Sequence, residues 1–332
     1  MSDVTPKARS IPAGPIEAPP PKRKRRGRAQ CLLGLILGLL GLAASRLGNL
    51  WIAFDVFSQF TLQFAAVAGA FGIGFLMPRA RLFAAFVLLL GGIAGIGAWP
   101  HLASDRTRIL DAAKPGEREI AVASFNTYYS NREADAVRAE IERLDADILT
   151  LVEFGPQLRP MLASLAARYP HRADCFARDF CNLAILSKFP IAASETRMDW
   201  EGPPMLKVKL GAELGGLTVV TTHTIRFPQS RAQFRQIVEL SKLVESIPGR
   251  KLVMGDFNAT PFSRIVGSFA GRTGMTRLTV LPSWPALVEL PQMAIDHIFV
   301  SPDIRATQSE EIGNAAGSDH YPISIRIAVP LN

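Results

Sequence analysis

Charge is almost missing from residues 31–100 of this 332-residue chain, a stretch that contains a single acidic residue. Three apolar, glycine-rich blocks fill it, at residues 31–45, 56–77 and 82–99. The second and third blocks are long enough to cross a bilayer, and the first is long enough only if it continues towards Ile52. None of the blocks has a polar face, which favours membrane spans over the soluble alternative of a buried helical hairpin. We therefore predict a transmembrane region of about three helices at residues 31–102.

A cleavage site is missing as well. The first thirty residues are rich in proline, alanine and charge, and end in a basic run at residues 22–28. They contain too few apolar residues to offset the entropy of ordering, so residues 1–30 are predicted to be a disordered tail. A basic region before an apolar block resembles a signal peptide, but no small-x-small site follows it and two more apolar blocks do. The basic run fits a cytoplasmic topology anchor better than a nuclear or nucleic-acid signal.

Three spans place the two ends of the chain on opposite sides of the membrane. The basic tail and the short basic loop at residues 78–81 then lie in the cytoplasm, and everything after Trp99 lies outside it. Loss of the weak first span would move the main domain to the other side. We predict a multi-pass protein of the cell membrane with an extracytoplasmic main domain.

The main domain lacks a net charge. Residues 1–102 contain eleven basic and three acidic residues, and this excess of eight equals the net charge of the whole protein. Residues 103–332 contain 26 residues of each sign. Proteins that bind many phosphates without sequence preference usually have a basic face. The neutrality of the main domain weakens a nucleic-acid partner without excluding a local basic patch.

Cysteine is scarce, with three in the chain. Cys175 and Cys181 lie six residues apart in the main domain, and Cys31 lies in the first apolar block. An oxidising compartment outside the cytoplasm would allow the pair to form a disulfide. Two ordinary small hydrophobic residues would look the same in the sequence. Both alternatives stay open at this point.

Residues 103–118 are polar and contain a Pro-Gly pair, which is typical of a linker. After the linker, strand patterns alternate with helix patterns, and no internal repeat occurs. Strands are predicted at residues 119–125, 147–152, 182–187, 205–210, 217–222, 251–255, 294–300 and 323–329. Helices are predicted at residues 130–144, opened by a Ser-Asn-Arg-Glu capping box, and at 157–168 and 230–245. The pattern indicates a mixed α/β domain over residues 119–330, with helices packed on extensive sheet.

Polar residues stand at the C-terminal ends of many of these apolar strands. They are Asn126, Glu153, His223, Asp256, Asn258, Asp296, Asp319 and His320. Polar groups at such positions are costly in a core unless they are paired. In the segment Gly255-Asp256-Phe257-Asn258, the glycine would allow a tight turn and the two polar side chains would face one spot. Each residue alone fits a structural role, such as an Asx turn, and only their convergence points to a site.

These motifs and their order resemble the endonuclease/exonuclease/phosphatase superfamily, the DNase I-like fold, over about residues 119–329. The resemblance implies a four-layered α/β sandwich, here preceded by N-terminal transmembrane helices. It also implies a metal-dependent hydrolase of phosphate esters. Asn126 and Glu153 look like the metal end of the site, with Asp319 near it. Their oxygen atoms suit Mg²⁺ or Mn²⁺.

The remaining roles also come from the resemblance. Asp256 looks like the carboxylate that positions or deprotonates the attacking water, and Asn258 looks like a donor to the phosphoryl oxygens. His223 and His320 look like the histidines that flank the phosphate. Asp296 looks like the carboxylate that orients His320. Its neighbour His297 is expected to point away from the site and to be structural.

The expected site also includes two substrate-binding residues, and it departs from the family's pattern in two respects. Asn182 occupies the place where DNase I-like members have a glutamate that orients the first histidine. Arg226 lies just beyond His223 and could reach a phosphate, although the position favours a solvated arginine. The tyrosine of DNA-repair members is not identifiable, which puts a DNA-repair role in doubt.

A site tethered at a bilayer meets phosphorylated lipids at high effective concentration. We therefore expect a membrane-anchored phosphoesterase that acts outside the cytoplasm, with a lipid phosphate as the favoured substrate. An extracytoplasmic nuclease is the second hypothesis, and a non-catalytic membrane scaffold is the third. No protein partner can be inferred.

Overall fold

The computed structural model describes residues 23–77, 79–103, 111–178 and 180–331. Most of the predicted tail and residues 104–110 of the predicted linker lie outside this part of the chain. Helix α1 (Arg23–Leu47) begins inside the predicted disordered tail. The tail prediction is therefore wrong for residues 23–30. Arginine and lysine are good helix formers, and here they precede an apolar run that continues the helix without a break.

Two N-terminal helical segments are long and apolar enough to cross a membrane, Gly27–Leu47 in α1 and Arg81–Leu102 in α4 (Arg81–Ala103). Between them, α2 (Asp55–Ser58) and α3 (Thr61–Leu76) follow a short 3₁₀ helix at Ile52–Phe54. The pair Ile52–Ser58 and Thr61–Leu76 is bent by 58°. By length and composition, the described residues contain a third candidate span if this bent pair is counted as one.

The N-terminal helices pack through small residues. A Cβ atom on Gly38 of α1 would lie 2.6 Å from the backbone nitrogen of Ala68 in α3. Only glycine permits so close an approach of the two helix backbones. Small residues at helix contacts are the common solution where helices pack in a membrane.

The rest of the chain forms two sheets. The first contains β1 (Glu117–Asn126), β2 (Ile148–Val152), β3 (His171–Asp174), β4 (Ala184–Ser187), β11 (Arg305–Ala306), β12 (Glu311–Ile312) and β13 (Ile323–Pro330). The second contains β5 (Ile191–Arg197), β6 (Met205–Leu210), β7 (Thr218–His223), β8 (Lys251–Asp256), β9 (Thr276–Arg277) and β10 (Asp296–Val300). The first sheet has the order β11-β13-β1-β2-β4-β3, with β12 also paired to β13, and the second has the order β5-β6-β7-β8-β10-β9.

The two sheets face each other across the main core. Val122 and Ile148 of the first sheet share this core with Val208 and Met254 of the second. Helix α5 (Ala134–Leu144) covers the outer face of the first sheet, where a second cluster of buried side chains lies. Helices α6 (Ser230–Ser246) and α7 (Arg264–Thr273) cover the outer face of the second sheet. The domain is a four-layered α/β sandwich, and the predicted fold class is confirmed.

Two helix predictions need correction. The predicted helix at residues 157–168 is a 3₁₀ helix at Arg159–Ala163 followed by turns, because two prolines in this region limit regular hydrogen bonding. The predicted capping box does not form, and α5 begins at Ala134, four residues after Ser130. Instead, the Asn131 side chain accepts a hydrogen bond from the backbone N–H of Glu133 at 2.9 Å.

The N-terminal helices dock on the sandwich beside α7. The buried carboxylate of Asp55 accepts hydrogen bonds from the Ser263 hydroxyl at 2.5 Å and from the backbone N–H of Arg264 at 2.7 Å. The Gln59 side-chain oxygen accepts one from the backbone N–H of Thr260 at 2.7 Å. The segment that links α2 to α3 is therefore fixed to the loop between β8 and α7.

Candidate active site

The ends of five strands bring the predicted polar residues to one edge of the sandwich. In the first sheet, β1 and β2 run parallel, so Asn126 and Val152, the residue before Glu153, end side by side. In the second sheet, His223 of β7 lies opposite Asp256 of parallel β8. Because β10 runs antiparallel to β8, the register also pairs Asp256 with Asp296, the first residue of β10. The topology thus places side chains from distant parts of the sequence at one rim.

A cleft of about 580 Å³ opens at this rim. Of the predicted residues it is lined by Glu153, His223, Arg226, Asp256, Asn258, Asp319 and His320. Asn126 and Asp296 lie behind this wall and contact its residues through hydrogen bonds. The structure therefore brings together nine of the ten predicted side chains, and Asn182 lies at a neighbouring pocket.

Asp296 and His320 form a buried pair. The His320 Nδ1–H donates to Asp296 Oδ2 at 2.8 Å, and the Ser283 hydroxyl donates to the same oxygen at 2.6 Å. This arrangement fixes the imidazole ring so that Nε2 lies 3.8 Å from Asp256 Oδ2. Burial alone would favour the neutral ring, but the contact with Asp296 and the nearby Asp256 outweigh it and raise the pKa of His320 to about 10. The contact with Asp296 therefore favours the imidazolium form of His320, whose Nε2 is free to donate.

Asp256 is the most deeply buried acid of the cleft, with 1% of its surface exposed. Burial and the neighbouring Asp296 raise its pKa to about 6, although His320 and His223 act in the opposite direction. A carboxyl group whose pKa lies near neutrality can accept a proton from water and release it again. The site therefore contains an acid, Asp256, whose pKa is raised towards neutrality, beside a histidine, His320, whose pKa is also raised.

Asn258 orients Asp256 directly. Its backbone N–H donates to Asp256 Oδ1 at 2.7 Å, and its Nδ2 donates to Asp256 Oδ2 at 3.2 Å and to the Thr224 carbonyl at 3.0 Å. The backbone of Asn258 is left-handed, with φ 47°, so the two side chains do not meet through an extended strand as the sequence pattern suggested. Both amide hydrogens are engaged, and this geometry makes Asn258 a positioning residue for Asp256.

Gly255 has a different role from the expected tight turn. It lies inside β8 with φ 146°, and a Cβ atom there would lie 2.1 Å from the Thr222 carbonyl oxygen. The glycine is needed because β7 and β8 approach each other closely just before His223 and Asp256. It thereby sets the spacing of those two side chains.

The ligand atoms of Glu153, His223 and Asp256 all lie within 4.8 Å of one another, a spacing that a single metal ion can bridge. His223 Nε2 lies 3.5 Å from Glu153 Oε1 and 3.6 Å from Asp256 Oδ2. The carboxylates of Glu153 and Asp256, which lie within 4.8 Å of each other, repel each other unless a cation or a hydrogen-bond donor compensates. Carboxylate oxygens of this kind are the ligands that Mg²⁺ and Mn²⁺ prefer, so the donor set fits a divalent cation.

Asn126 presents its nitrogen to this group rather than its oxygen. Its Nδ2 donates to Asp256 Oδ2 at 3.0 Å and to Glu153 Oε1 at 3.3 Å, while its Oδ1 accepts from the backbone N–H of Tyr128 at 3.0 Å. In this conformation Asn126 bridges the two acids. It becomes a metal ligand only if its amide group turns over.

Asp319 lines the cleft but stands apart from the other acids. Its Oδ2 accepts a hydrogen bond from the Trp284 indole at 3.4 Å. In the described part of the chain, neither compact group of acidic and histidine ligands includes Asp319. Exposed Arg226 lies at the rim of the same cleft.

Asn182 does not orient His223 through a hydrogen bond as the sequence suggested. Its Oδ1 accepts a hydrogen bond from Arg159 at 3.0 Å, and no hydrogen bond between Asn182 and His223 occurs among the described residues. Asn182 lies instead in a smaller pocket that shares Glu153 and His223 with the cleft. His297 points away from the cleft, and its Nε2 is 2.8 Å from the Ala259 carbonyl.

Three residues that hold the site in place were not predicted from the sequence. Ser283 holds Asp296, and the Gln233 side chain of α6 donates to the Phe257 and Asn258 carbonyls at 2.9 and 3.0 Å. The Thr224 hydroxyl also donates to the Phe257 carbonyl, at 2.5 Å. These contacts join segments far apart in sequence, and no local pattern marks them. The position of Thr224, directly after His223, is the one available signal.

Comparison with known proteins gives a consistent picture. A profile described as the Endonuclease/Exonuclease/phosphatase family matches residues 123–320, which is more than half of the chain. That range contains every predicted site residue. No curated protein matches the chain.

Solved structures share the fold of the sandwich. TDP2 from D. rerio, in complex with a single-strand DNA product, is 15% identical, with a TM-score of 0.53, covering 63% of this chain and 98% of that one. A family protein from Bacteroides thetaiotaomicron is 14% identical, with a TM-score of 0.51, covering 65% and 100%. Sphingomyelinase C from Streptomyces griseocarneus is 16% identical, with a TM-score of 0.50, covering 63% and 99%. At these identities the likeness shows the fold alone.

Proposed function

The chain belongs to the endonuclease/exonuclease/phosphatase family, whose members are hydrolases of phosphate esters, and we propose that it is a membrane-anchored, divalent-metal-dependent phosphoesterase. One observation carries this proposal. Glu153, His223, Asp256 and His320 converge on a single cleft although up to 167 residues separate them in sequence. Buried titratable groups with shifted pKa values, such as Asp256 and His320, cluster at functional sites.

The residues of the cleft divide the chemistry among them. Glu153 would hold the divalent cation, with Asn126 and Asp319 beside it. When bound, the cation neutralises charge on the phosphoryl oxygens and the leaving group. His320, kept protonated by Asp296, donates to a phosphoryl oxygen.

Asp256 positions the attacking water and accepts its proton. Asn258 holds Asp256 in the orientation that this step needs. His223 borders the phosphate on the other side of the cleft, and Arg226 at the rim attracts the anionic substrate. Preorganised donors of this kind typically contribute about 10²–10³ in rate each.

A lipid phosphate is the substrate that we favour. Phe227, which lines the cleft, packs edge-on against Phe60 at the start of α3, with ring centroids 5.9 Å apart. The cleft therefore opens beside the N-terminal helices, two of which are long and apolar enough to cross a membrane. A phosphate at the surface of that membrane would lie within reach of the site.

We also propose that the sandwich lies outside the cytoplasm. Cys175 and Cys181 form a disulfide, with their Cα atoms 5.6 Å apart, which answers the question that the sequence left open. Disulfides persist in oxidising compartments and are rare in the cytoplasm. The basic residues at the start of α1 support the same orientation. Protease accessibility in sealed cells tests it, and protection of residues 111–331 would contradict it.

The activity is tested on the full-length protein in detergent with three probes: a chromogenic phosphodiester, a lipid phosphate and supercoiled plasmid. We expect phosphate-ester hydrolysis that requires Mg²⁺ or Mn²⁺, that stops with a chelator, and that is faster on the lipid. Plasmid cleavage as the dominant activity would favour the second hypothesis, a nuclease. Inactivity on all three probes, with no metal binding, would favour a scaffold and overturn the proposal.

A further inference from the structure

A second pocket lies where α3 and α4 meet the sandwich. It has a volume of about 250 Å³. Its walls come from Leu62 and Trp99 on the helices and from Phe262, Val280 and Pro282 on the sandwich. These side chains are apolar and make up most of the wall, although Gln59, Gln63, Arg277 and Gln292 also line the pocket. An apolar cavity of about 150 Å³ is already large enough to stay dry and to bind an apolar molecule.

The position of the pocket identifies the apolar molecules that can reach it. Leu62 lies at the first turn of α3 and Trp99 near the last turn of α4. Both helix ends face the sandwich, so the pocket lies at the boundary between the apolar helices and the folded domain. Tryptophan is enriched at such boundaries in membrane proteins. In the proposed membrane, lipid chains are the apolar groups that surround this level of the helices.

Hydrogen bonds hold the pocket open. Gln63 Nε2 donates to the Gln292 carbonyl at 3.1 Å, and Gln292 Nε2 donates to the Ile93 carbonyl at 3.0 Å. Gln59 holds the opposite wall through the backbone of Thr260. These bonds tie α3 and α4 to two loops of the sandwich at fixed separations. The cavity therefore cannot close without breaking them.

The same three glutamines carry unused polar atoms. Within the described residues, Gln59 Nε2, Gln63 Oε1 and Gln292 Oε1 have no hydrogen-bond partner, although each is buried. A buried polar group without a partner destabilises the structure. The ester oxygens of a lipid can accept from Gln59 Nε2, and a lipid hydroxyl group can donate to the two glutamine oxygens. These three polar atoms thus fit a lipid better than a plain hydrocarbon.

We propose that this junction pocket binds the alkyl chain of a bilayer lipid. The inference rests on the proposed membrane anchoring and does not require catalysis. Three segments of the sandwich contribute residues to both cavities: residues 258–260, 282–284 and 293–295. Along an extended chain, residues one or two positions apart are about 3–7 Å apart, so the pocket adjoins the cleft. A bound chain would support the same loops that carry Asn258 and Trp284.

Photolabelling tests this assignment without relying on turnover. The full-length protein is reconstituted into phosphatidylcholine vesicles that contain a phosphatidylcholine with a diazirine on its acyl chain. After irradiation, labelled peptides are identified by mass spectrometry. We expect label on peptides that contain residues 260–262 and 292–294, in addition to general label around Phe83, which is 73% exposed on α4. Flotation with the vesicles establishes anchoring separately.

Two variants fill the pocket from opposite sides, Leu62→Trp from α3 and Val280→Trp from the sandwich. Each excludes about two methylene groups, which should lower the label on the two sandwich peptides about tenfold. Leu90→Trp is the matched control, because Leu90 is 53% exposed on the outer face of α4, and its label should stay unchanged. Val280 is 44% exposed, so its replacement has little effect on folding.

Absence of sandwich label in the wild type would overturn the proposal. So would undiminished label in both filled variants when they float and unfold as the wild type does. A chain-length series of lipid phosphates then identifies the source of the chain. If catalytic efficiency rises with chain length and Leu62→Trp abolishes the rise, the chain belongs to the substrate. If label occurs without chain-length dependence, the chain belongs to a separate lipid, and the pocket assignment stands.

Discussion

The carboxylate of Asp55 accepts a hydrogen bond of 2.7 Å from the backbone N–H of Arg264, which lies 209 residues further along the chain. Arg264 is the first residue of α7, and Ser263 caps the same helix through the backbone N–H of Ile265. Asp55 is the single acid of the apolar stretch at residues 31–100. The N-terminal region thus supplies a negative charge to the positive end of a helix in the sandwich. The two parts of the protein are joined by a specific contact and not only by the chain between them.

Removing that carboxylate should loosen the junction. We expect Asp55→Ala to lower the free energy of unfolding by about 2–3 kcal/mol, because it leaves buried donors of Ser263 and Arg264 unpaired. The apparent melting temperature in detergent should fall by about 5 °C or more. Asp135→Ala is the control, since the Asp135 side chain is 98% exposed. Equal melting temperatures for both variants would show that the contact contributes nothing.

The pair formed by Asp296 and His320 should control activity. Asp296→Asn removes the charge that keeps His320 protonated, and we expect turnover to fall by about 10²–10³. Ser283→Ala leaves the charge in place and should have a smaller effect of about tenfold. Steady-state kinetics measures both, and an NMR titration should show a lower pKa for His320 in Asp296→Asn. An unchanged pKa with reduced turnover would contradict the assigned cause.

Metal binding can be measured without a substrate. We expect Mg²⁺ or Mn²⁺ to raise the melting temperature of the wild type, because a ligand that binds only the folded state stabilises it by mass action. Glu153→Gln should abolish the rise. Asp319→Asn decides whether that residue, which stands apart from the other acids, also holds the cation. A rise that persists in Glu153→Gln would remove Glu153 from the ligand set.

Glu310 should make stability depend on pH. Its Oε2 accepts backbone hydrogen bonds from Val280 and Leu281, and burial raises its pKa from 4.5 to about 8. The folded state therefore retains a proton that the unfolded state releases above about pH 4.5. Stability contributed by this protonation is complete below that pH and is lost as the pH rises through 8.

Glu310→Gln removes this titration. We expect the variant to melt at a higher temperature than the wild type at pH 8.5 and at nearly the same temperature at pH 5. Thermal unfolding at the two pH values measures the difference. Glu119→Gln, at an exposed ion pair with Arg326, controls for the loss of one negative charge. A constant difference between variant and wild type at both pH values would exclude Glu310 as the titrating group.

The sequence was most informative where apolar runs end in polar residues. The runs that became β1 and β8 are continuous and buried, so periodicity located them and the residues that follow them. Helix α7 was missed because it is short and contains two glycines, which weakens any helical pattern. Strand β5 was missed because it is an edge strand that is largely exposed and carries no apolar alternation.

The sequence predicted which residues form the site but not how their side chains are arranged. Residue order identified which side chains converge, yet the inverted amide of Asn126 depends on the backbone N–H of Tyr128. The displacement of Asn182 depends on Arg159, which lies 23 residues away. The docking of Asp55 on α7 had no signal at all, because its partners are a serine and a backbone group. Contacts of this kind are set by tertiary packing and not by local pattern.

The contact between Phe60 and Phe227 has a geometric consequence. Together with the hydrogen bond of Gln59, this contact fixes the position and orientation of the cleft mouth relative to the ends of the N-terminal helices. With the proposed membrane anchoring, the cleft would then lie at a fixed distance from the lipid surface. Substrates would be selected by how far their phosphate protrudes from that surface, before any contact inside the cleft distinguishes them.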